Sequence, residues 1–107
     1  MNKSALVIDD EPDIRELLSI TLEQMGLTVK TAPGIQKAKK LLNSQLFDIC
    51  LTDMQLPDGN GIDLVDYTQD KFPEMPIAVI TAHGNVDIAV TALKKGAFDF
   101  VSKPLEL

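Results

Sequence analysis

The sequence predicts an α/β domain, a doubly wound parallel sheet of five strands with helices on both faces. Three observations lead to it. Short, apolar, β-branched runs recur along the chain, as expected of strands buried on both sides. Segments with helical apolar spacing alternate with them. Glycine and proline punctuate the joins. Crossovers between such strands are right-handed. A length of 107 residues, 45% of them apolar, suits one domain with one real core. There is no repeat, linker or low-complexity tract.

"SALVI" (4–8) is the first strand. Pro12 can open the helix that follows, because its missing N–H costs nothing in the first turn. Ile14, Leu17, Leu18, Thr21 and Met25 carry that helix, and Gly26 stops it. "LTVKT" (27–31) alternates apolar and polar, the pattern of a half-exposed edge strand. Pro33 and Gly34 lead into a second helix marked by Ile35, Ala38, Leu41 and Leu42. "FDICLT" (47–52) is the third strand, and the turn formers of "LPDGNG" (56–61) form a loop. Residues 61–71 make a third helix with Ile62 and Val65 inward. Pro73 and Pro76 bracket the link to "IAVIT" (77–81), the fourth strand. Val86, Ala89, Val90 and Leu93 mark a fourth helix ending at Gly96, and "FDFVS" (98–102) is the fifth strand. A fifth helix is expected where "KPLEL" closes the sequence, so the domain (1–107) is read as truncated at the start of its last helix. Four buried apolar side chains on such a helix would contribute roughly 6–12 kcal/mol. That is comparable with the roughly 5–15 kcal/mol that holds a domain together. Without it the fold should be marginal unless a partner covers the face.

Composition narrows the function. A net charge of −6, with Arg15 the only arginine, argues against nonspecific nucleic-acid binding, which needs clustered cations. Cys50, the only cysteine, sits in an apolar run and reads as an inert buried thiol. No disulfide can form within the chain, which fits a reducing cytoplasm. Neither a signal core nor a run of roughly 20 apolar residues is present, so no membrane contact is expected.

In an open parallel sheet, ligands sit at the carboxyl ends of the strands. The first strand ends in Asp9 and Asp10, the third in Asp53, the fourth in Thr81 and the fifth in Ser102, Lys103 and Pro104. Carboxylates gathered at one edge repel one another. A divalent cation removes the conflict, and oxygen-only donors favour Mg²⁺ or Ca²⁺, with few protein ligands favouring Mg²⁺. A carboxylate can also attack phosphorus to form an aspartyl phosphate. Asp53, on the central strand, is the natural nucleophile. Asp9 and Asp10 would hold the metal. Lys103 and Thr81 would offset the charge spreading over the transferred group.

The set "VIDDEP", "LTDMQLPDGNG", "ITAHG" and "GAFDFVSKP" resembles the receiver domain of two-component response regulators, in order and over nearly the whole chain. "DMQLPDGNGIDLV" and the segment from "TAHG" onward are most similar to the sigma-54-dependent, nitrogen-regulator class of activators, and within it to type IV pilus gene regulators. The resemblance implies a flavodoxin-like strand order 2-1-3-4-5. It implies that Asp53 accepts a phosphoryl group from a sensor histidine kinase, with slow self-dephosphorylation and no enzymatic turnover. Asp10 would bind Mg²⁺ directly, Asp9 mostly through water, and the Gln55 backbone carbonyl would be the remaining protein ligand. Thr81 and Lys103 would contact the phosphoryl group, Phe100 would be the switch aromatic, and Gln55 and His83 would tune dephosphorylation. The Lys103–Pro104 peptide would be cis. A homodimer and an attached output outside this chain are expected, with no nucleic-acid contact by the domain itself.

Plainer roles are assigned elsewhere. Glu11 reads as helix-terminal only, and Asp13 and Arg15 as surface charges. The four methionines read as core fillers, Asp58 as a turn residue, and Asp48, Asp63, Asp66 and Asp99 as solvent-facing. Phe100 could be simple core and His83 a loop residue. Three other functions fit the residues less well. A phosphatase of the haloacid-dehalogenase kind needs an acid two residues after its nucleophile, where Gln55 stands. A flavin carrier needs a glycine- and hydroxyl-rich loop where "DDEP" would repel phosphate. A module used only for dimerisation leaves the acid, threonine and lysine set unexplained.

Overall fold

The computed structural model describes residues 3–82 and 85–105. Five strands form one parallel sheet: β1 (Ser4–Ile8), β2 (Thr28–Ala32), β3 (Ile49–Asp53), β6 (Ile77–Thr81) and β7 (Asp99–Ser102). Between β3 and β6 lie two short strands, β4 (Gln55–Leu56) and β5 (Gly59–Asn60), which pair antiparallel as a small hairpin. The parallel sheet runs β2-β1-β3-β6-β7, the flavodoxin-like order 2-1-3-4-5 once the hairpin is set aside. The helices are α1 (Pro12–Gln24), α2 (Ile35–Ser44), α3 (Gly61–Lys71) and α4 (Val86–Lys95).

The sequence signals act locally as physics requires. Pro12 opens α1 behind Glu11, an extended N-cap. Gly26, at φ 96°, takes the left-handed conformation that ends the helix without a Cβ penalty. Asn60 caps α3 by accepting the Ile62 N–H at 2.8 Å. Strand β2 alternates exposed and half-buried up to the buried Ala32 because it is an edge, whereas every residue of β6 is buried.

Alternate residues of each strand face opposite sides. Leu6, Ile8, Ile77 and Val79 build the larger core with Ala38 and Leu42 of α2, Leu64 and Val65 of α3 and Ala92 of α4. Val7 and Ile80 face the other way, under Leu18 of α1 and the half-buried Ile14 and Leu22. Among the described residues, α1 is the helix of that second face, and Leu105 packs beside it.

Packing departs from the expected faces in two helices. In α1 the sheet-facing row is Ile14, Leu18 and Leu22, while Leu17 is exposed and Met25 is 70% exposed, so Met25 is no core filler. Met54 and Met75 are buried as expected. In α4 the small Ala89 and Ala92 face inward with half-buried Ile88, and Val86, Val90 and Leu93 point outward. Small residues let α4 approach the sheet closely, which leaves its larger side chains on the surface. Most of the stretch expected as loop (56–61) belongs instead to the hairpin, which starts one residue earlier, at Gln55. Strand β3 runs one residue further than expected, so Asp53 pairs with Ile80 inside the ladder.

Candidate functional site

Strand geometry delivers the expected residues to one edge. Asp9 directly follows β1, Asp53 ends β3, Thr81 ends β6, and Lys103 follows β7. Backbone bonds fix these ends. The Asp9 N–H donates to the Ala32 carbonyl at 3.1 Å, and the Lys103 N–H donates to the Thr81 carbonyl at 2.8 Å. The peptide from Lys103 to Pro104 is cis, as expected.

Asp9 is fully buried, Asp53 and Thr81 nearly so, and Asp10 is exposed. One carboxylate oxygen from each of Asp9, Asp10 and Asp53 lies within 4.8 Å of the others. Asp9 Oδ1 accepts the Glu11 N–H at 2.9 Å. Asp9 Oδ2 lies 3.3 Å from Lys103 Nζ, near enough for an ion pair, yet no hydrogen bond is aligned on it. A buried carboxylate oxygen with no hydrogen-bond donor is costly. Burial raises the Asp9 carboxyl pKa above its ordinary value and Asp53 adds to that, against the lowering effects of the Glu11 N–H and Lys103. Three acids that each bring an oxygen to one place, together with a buried Asp9 oxygen lacking a donor, are what a hard divalent cation would satisfy. The residues present therefore fit a metal.

Lys103 Nζ lies 3.3 Å from both Asp53 Oδ2 and Asp9 Oδ2, and 2.6 Å from Glu11 Oε2. Burial alone would lower its ammonium pKa, but Glu11, Asp53 and Asp9 together raise it above the usual lysine value. Lys103 is thus a cation at any ordinary pH. The cleft over these groups, about 390 Å³, is lined by Asp10, Glu11, Asp53, Gln55, Asn85 and Lys103 among others. A groove of about 500 Å³ at the opposite, amino edge of the sheet, lined by Phe47, Phe72 and Met75, lies away from the acid cluster.

Gln55 lines the cleft at the start of the hairpin, and its N–H reaches Asp53 Oδ1 at 3.4 Å. Phe100 is half-buried in β7 beside Val79, packed against the larger core. His83 lies outside the described residues. Cys50 is buried, and burial pushes its thiol up to about 12, so it is inert.

Three plain assignments are corrected. Glu11 is the nearest partner of Lys103, not a helix-terminal charge alone. Arg15 is not a free surface charge, since its Nη1 donates to the Asp9 carbonyl at 2.8 Å. Asp58 does more than turn the chain, because it accepts the N–H groups of Ile35 and Gln36. Asp13, Asp63, Asp66 and Asp99 are exposed as expected. Asp48 is exposed but accepts the Ser4 N–H at 2.7 Å. The sequence places Gly61 at the end of a loop and the start of a helix without giving it a further role. A Cβ there would stand 2.3 Å from the Asp53 carbonyl oxygen, so glycine is what lets α3 begin against the end of β3.

A five-stranded doubly wound domain with an acid cluster and a lysine at the carboxyl edge is the architecture of a signalling receiver. The chain belongs to the response regulator receiver domain family, which matches residues 5–107. It is 55% identical over 105 residues to the response regulator protein PilR of Pseudomonas aeruginosa, covering 98% of this chain and 24% of that protein. Its relatives are of the sigma-54-dependent activator class. The chain spans about a quarter of the length of the curated relatives it matches. Among solved structures, the beryllofluoride-activated NtrC4 receiver domain dimer superposes with a TM-score of 0.90 at 39% identity, covering 96% of this chain and 85% of that one. A response regulator from Burkholderia pseudomallei, carrying a phosphorylated aspartic acid, calcium and citrate, superposes with a TM-score of 0.89 at 31% identity, covering 98% of this chain and 62% of that one.

Proposed function

We propose that this domain is a phosphorylation-operated switch in which Asp53 accepts a phosphoryl group from a histidine kinase of the cytoplasm. The observation that carries the reading is the position of the Lys103 ammonium, 3.3 Å from both Asp9 and Asp53 and beside an acid cluster that fits a cation. Asp9, Asp10, Asp53 and the Gln55 carbonyl would hold Mg²⁺, which when bound offsets the charge spread over the transferring oxygens. An Asp53 carboxylate oxygen bonds to phosphorus as the donor's P–N bond breaks. The departing imidazole keeps the electron pair and takes up a proton. Lys103 and the Thr81 hydroxyl then bind the new phosphoryl oxygens.

The added dianion biases two existing states of the domain and does not create a new one. Thr81 moves toward it, Phe100 turns inward, and the outer surface of α4 changes. Val86, Val90 and Leu93 of α4 and Phe98 before β7 are exposed, which supports homodimerisation there. The dimer of the beryllofluoride-activated NtrC4 receiver domain supports the same reading. An attached transcription activator would read the change. Intact-mass measurement after incubation with a small phosphodonor and Mg²⁺ tests the proposal. One added phosphoryl group is expected, lost with chelator and in Asp53→Asn. Addition retained in folded Asp53→Asn would move the acceptor elsewhere.

A further inference from the structure

The first N–H groups of a helix have no partners within it and call for a side-chain cap. At α2 the N-cap is Gly34, which has no side chain to offer. The cap comes instead from Asp58, whose Oδ1 accepts the Ile35 N–H at 2.8 Å and whose Oδ2 accepts the Gln36 N–H at 2.9 Å. These two bonds, Gln36 first, hold the Asp58 carboxyl below the ordinary carboxylate range. A Cβ at position 34 would stand 2.6 Å from Asp58 Oδ1, so the missing side chain makes room for the foreign one. Beside it, a Cβ on Gly59, whose φ is 156°, would stand 2.6 Å from Ile35 Cδ1. The tip of the β4–β5 hairpin is therefore pressed and bonded onto the first turn of α2.

That hairpin is the one that starts at Gln55. Its base is fixed by the pairing of Gln55 with Asn60 and by the Gly61 N–H bonded to the Met54 carbonyl at 2.8 Å. Its tip is fixed by Asp58. We propose that Asp58 is a positioning residue for the metal site, pinning the hairpin to α2 so that the Gln55 backbone is held ready to coordinate the cation. The inference rests on the reading of Asp9, Asp10, Asp53 and Gln55 as the Mg²⁺ ligands. A cap that served α2 alone would stabilise the helix and leave the metal untouched.

Calorimetric titration with Mg²⁺ separates the two, at a temperature where each variant is folded by circular dichroism. Asp58→Ala is expected to bind Mg²⁺ about tenfold more weakly, the low end for groups that orient metal ligands. Faster hydrogen exchange at Gln55 and Leu56 should accompany it. Gly34→Ala, which displaces the same carboxylate from the other element, should weaken binding in the same direction. Asp58→Asn keeps one oxygen acceptor and should fall between wild type and Asp58→Ala, which also covers the case in which the alanine variant does not fold. Unchanged Mg²⁺ affinity in folded Asp58→Ala and Asp58→Asn overturns the proposal. Asp10→Ala is the control for the underlying reading: if it binds Mg²⁺ like wild type, the ligand assignment fails, whatever Asp58 does.

Discussion

Lys103 is held by three carboxylates at once, and the shortest contact is to the most exposed of them. Glu11 is 57% exposed on its side chain, so its ion pair is worth about 1 kcal/mol or less. It nonetheless competes with Asp53 for the ammonium. Glu11→Gln should leave stability to denaturant within about 1 kcal/mol of wild type. It should also speed phosphorylation by a small anionic donor about fivefold, the rate equivalent of about 1 kcal/mol. A mass-spectrometric time course reads both the rate and the extent, and an unchanged rate would make Glu11 a bystander. Asp58 carries a pH prediction. Its carboxyl pKa is depressed on folding from 3.8, so its stabilising effect is present above that value and is lost as pH falls through the lower, folded value. Thermal melts at successive acid pH values should therefore show a steeper loss for wild type than for Asp58→Asn.

At the scale of elements, the strands were legible and the helix faces less so. "IAVIT" reads as a buried strand from composition alone, and β6 occupies those residues. Asp9, Asp53, Thr81 and Lys103 of the candidate site were legible for the same reason, since each stands at or next to a strand end and parallel strands place all such ends on one edge. Helix α1 and its C-cap carry apolar residues at 14, 17, 18, 20, 22 and 25, too many for spacing to choose a face. Only packing shows that 14, 18 and 22 are the ones covered. The partners of Glu11 and Asp58 lie 92 and 23 residues away, beyond any local pattern. Gly61 marks where two elements touch: an alanine there must displace the Asp53 carbonyl or the start of α3. Gly61→Ala should cost about 1–3 kcal/mol, in line with overpacked sites. Chemical unfolding measures it, and a neutral result would show that the α3 terminus can shift.

For the whole molecule, the acid cluster predicts linkage between metal and stability. A ligand that binds only the folded state adds about 2.7 kcal/mol at a hundredfold excess over its Kd. Saturating Mg²⁺ should therefore raise the thermal midpoint by several degrees, with a smaller rise or none in Asp10→Ala. Scanning calorimetry with and without chelator checks it. Overall charge points the same way, because a chain at −6 that gathers three acids at one edge gains by taking up a cation.

The middle of the sheet has one more consequence. Leu6, Val7, Ile8, Ile77, Val79 and Ile80 are fully enclosed, and interiors packed like this yield little to a local push. The chemistry is mounted on the ends of those strands. A charge placed on Asp53, as the proposed function has it, would bear on an anvil, and the displacement it caused would have to travel outward through the strand-end connections, such as the tether of Lys103 to the Thr81 carbonyl. Under the proposed function, sensitivity belongs to the softest joints, and stiffening one of them should mute the response while leaving the proposed capture of a phosphoryl group intact.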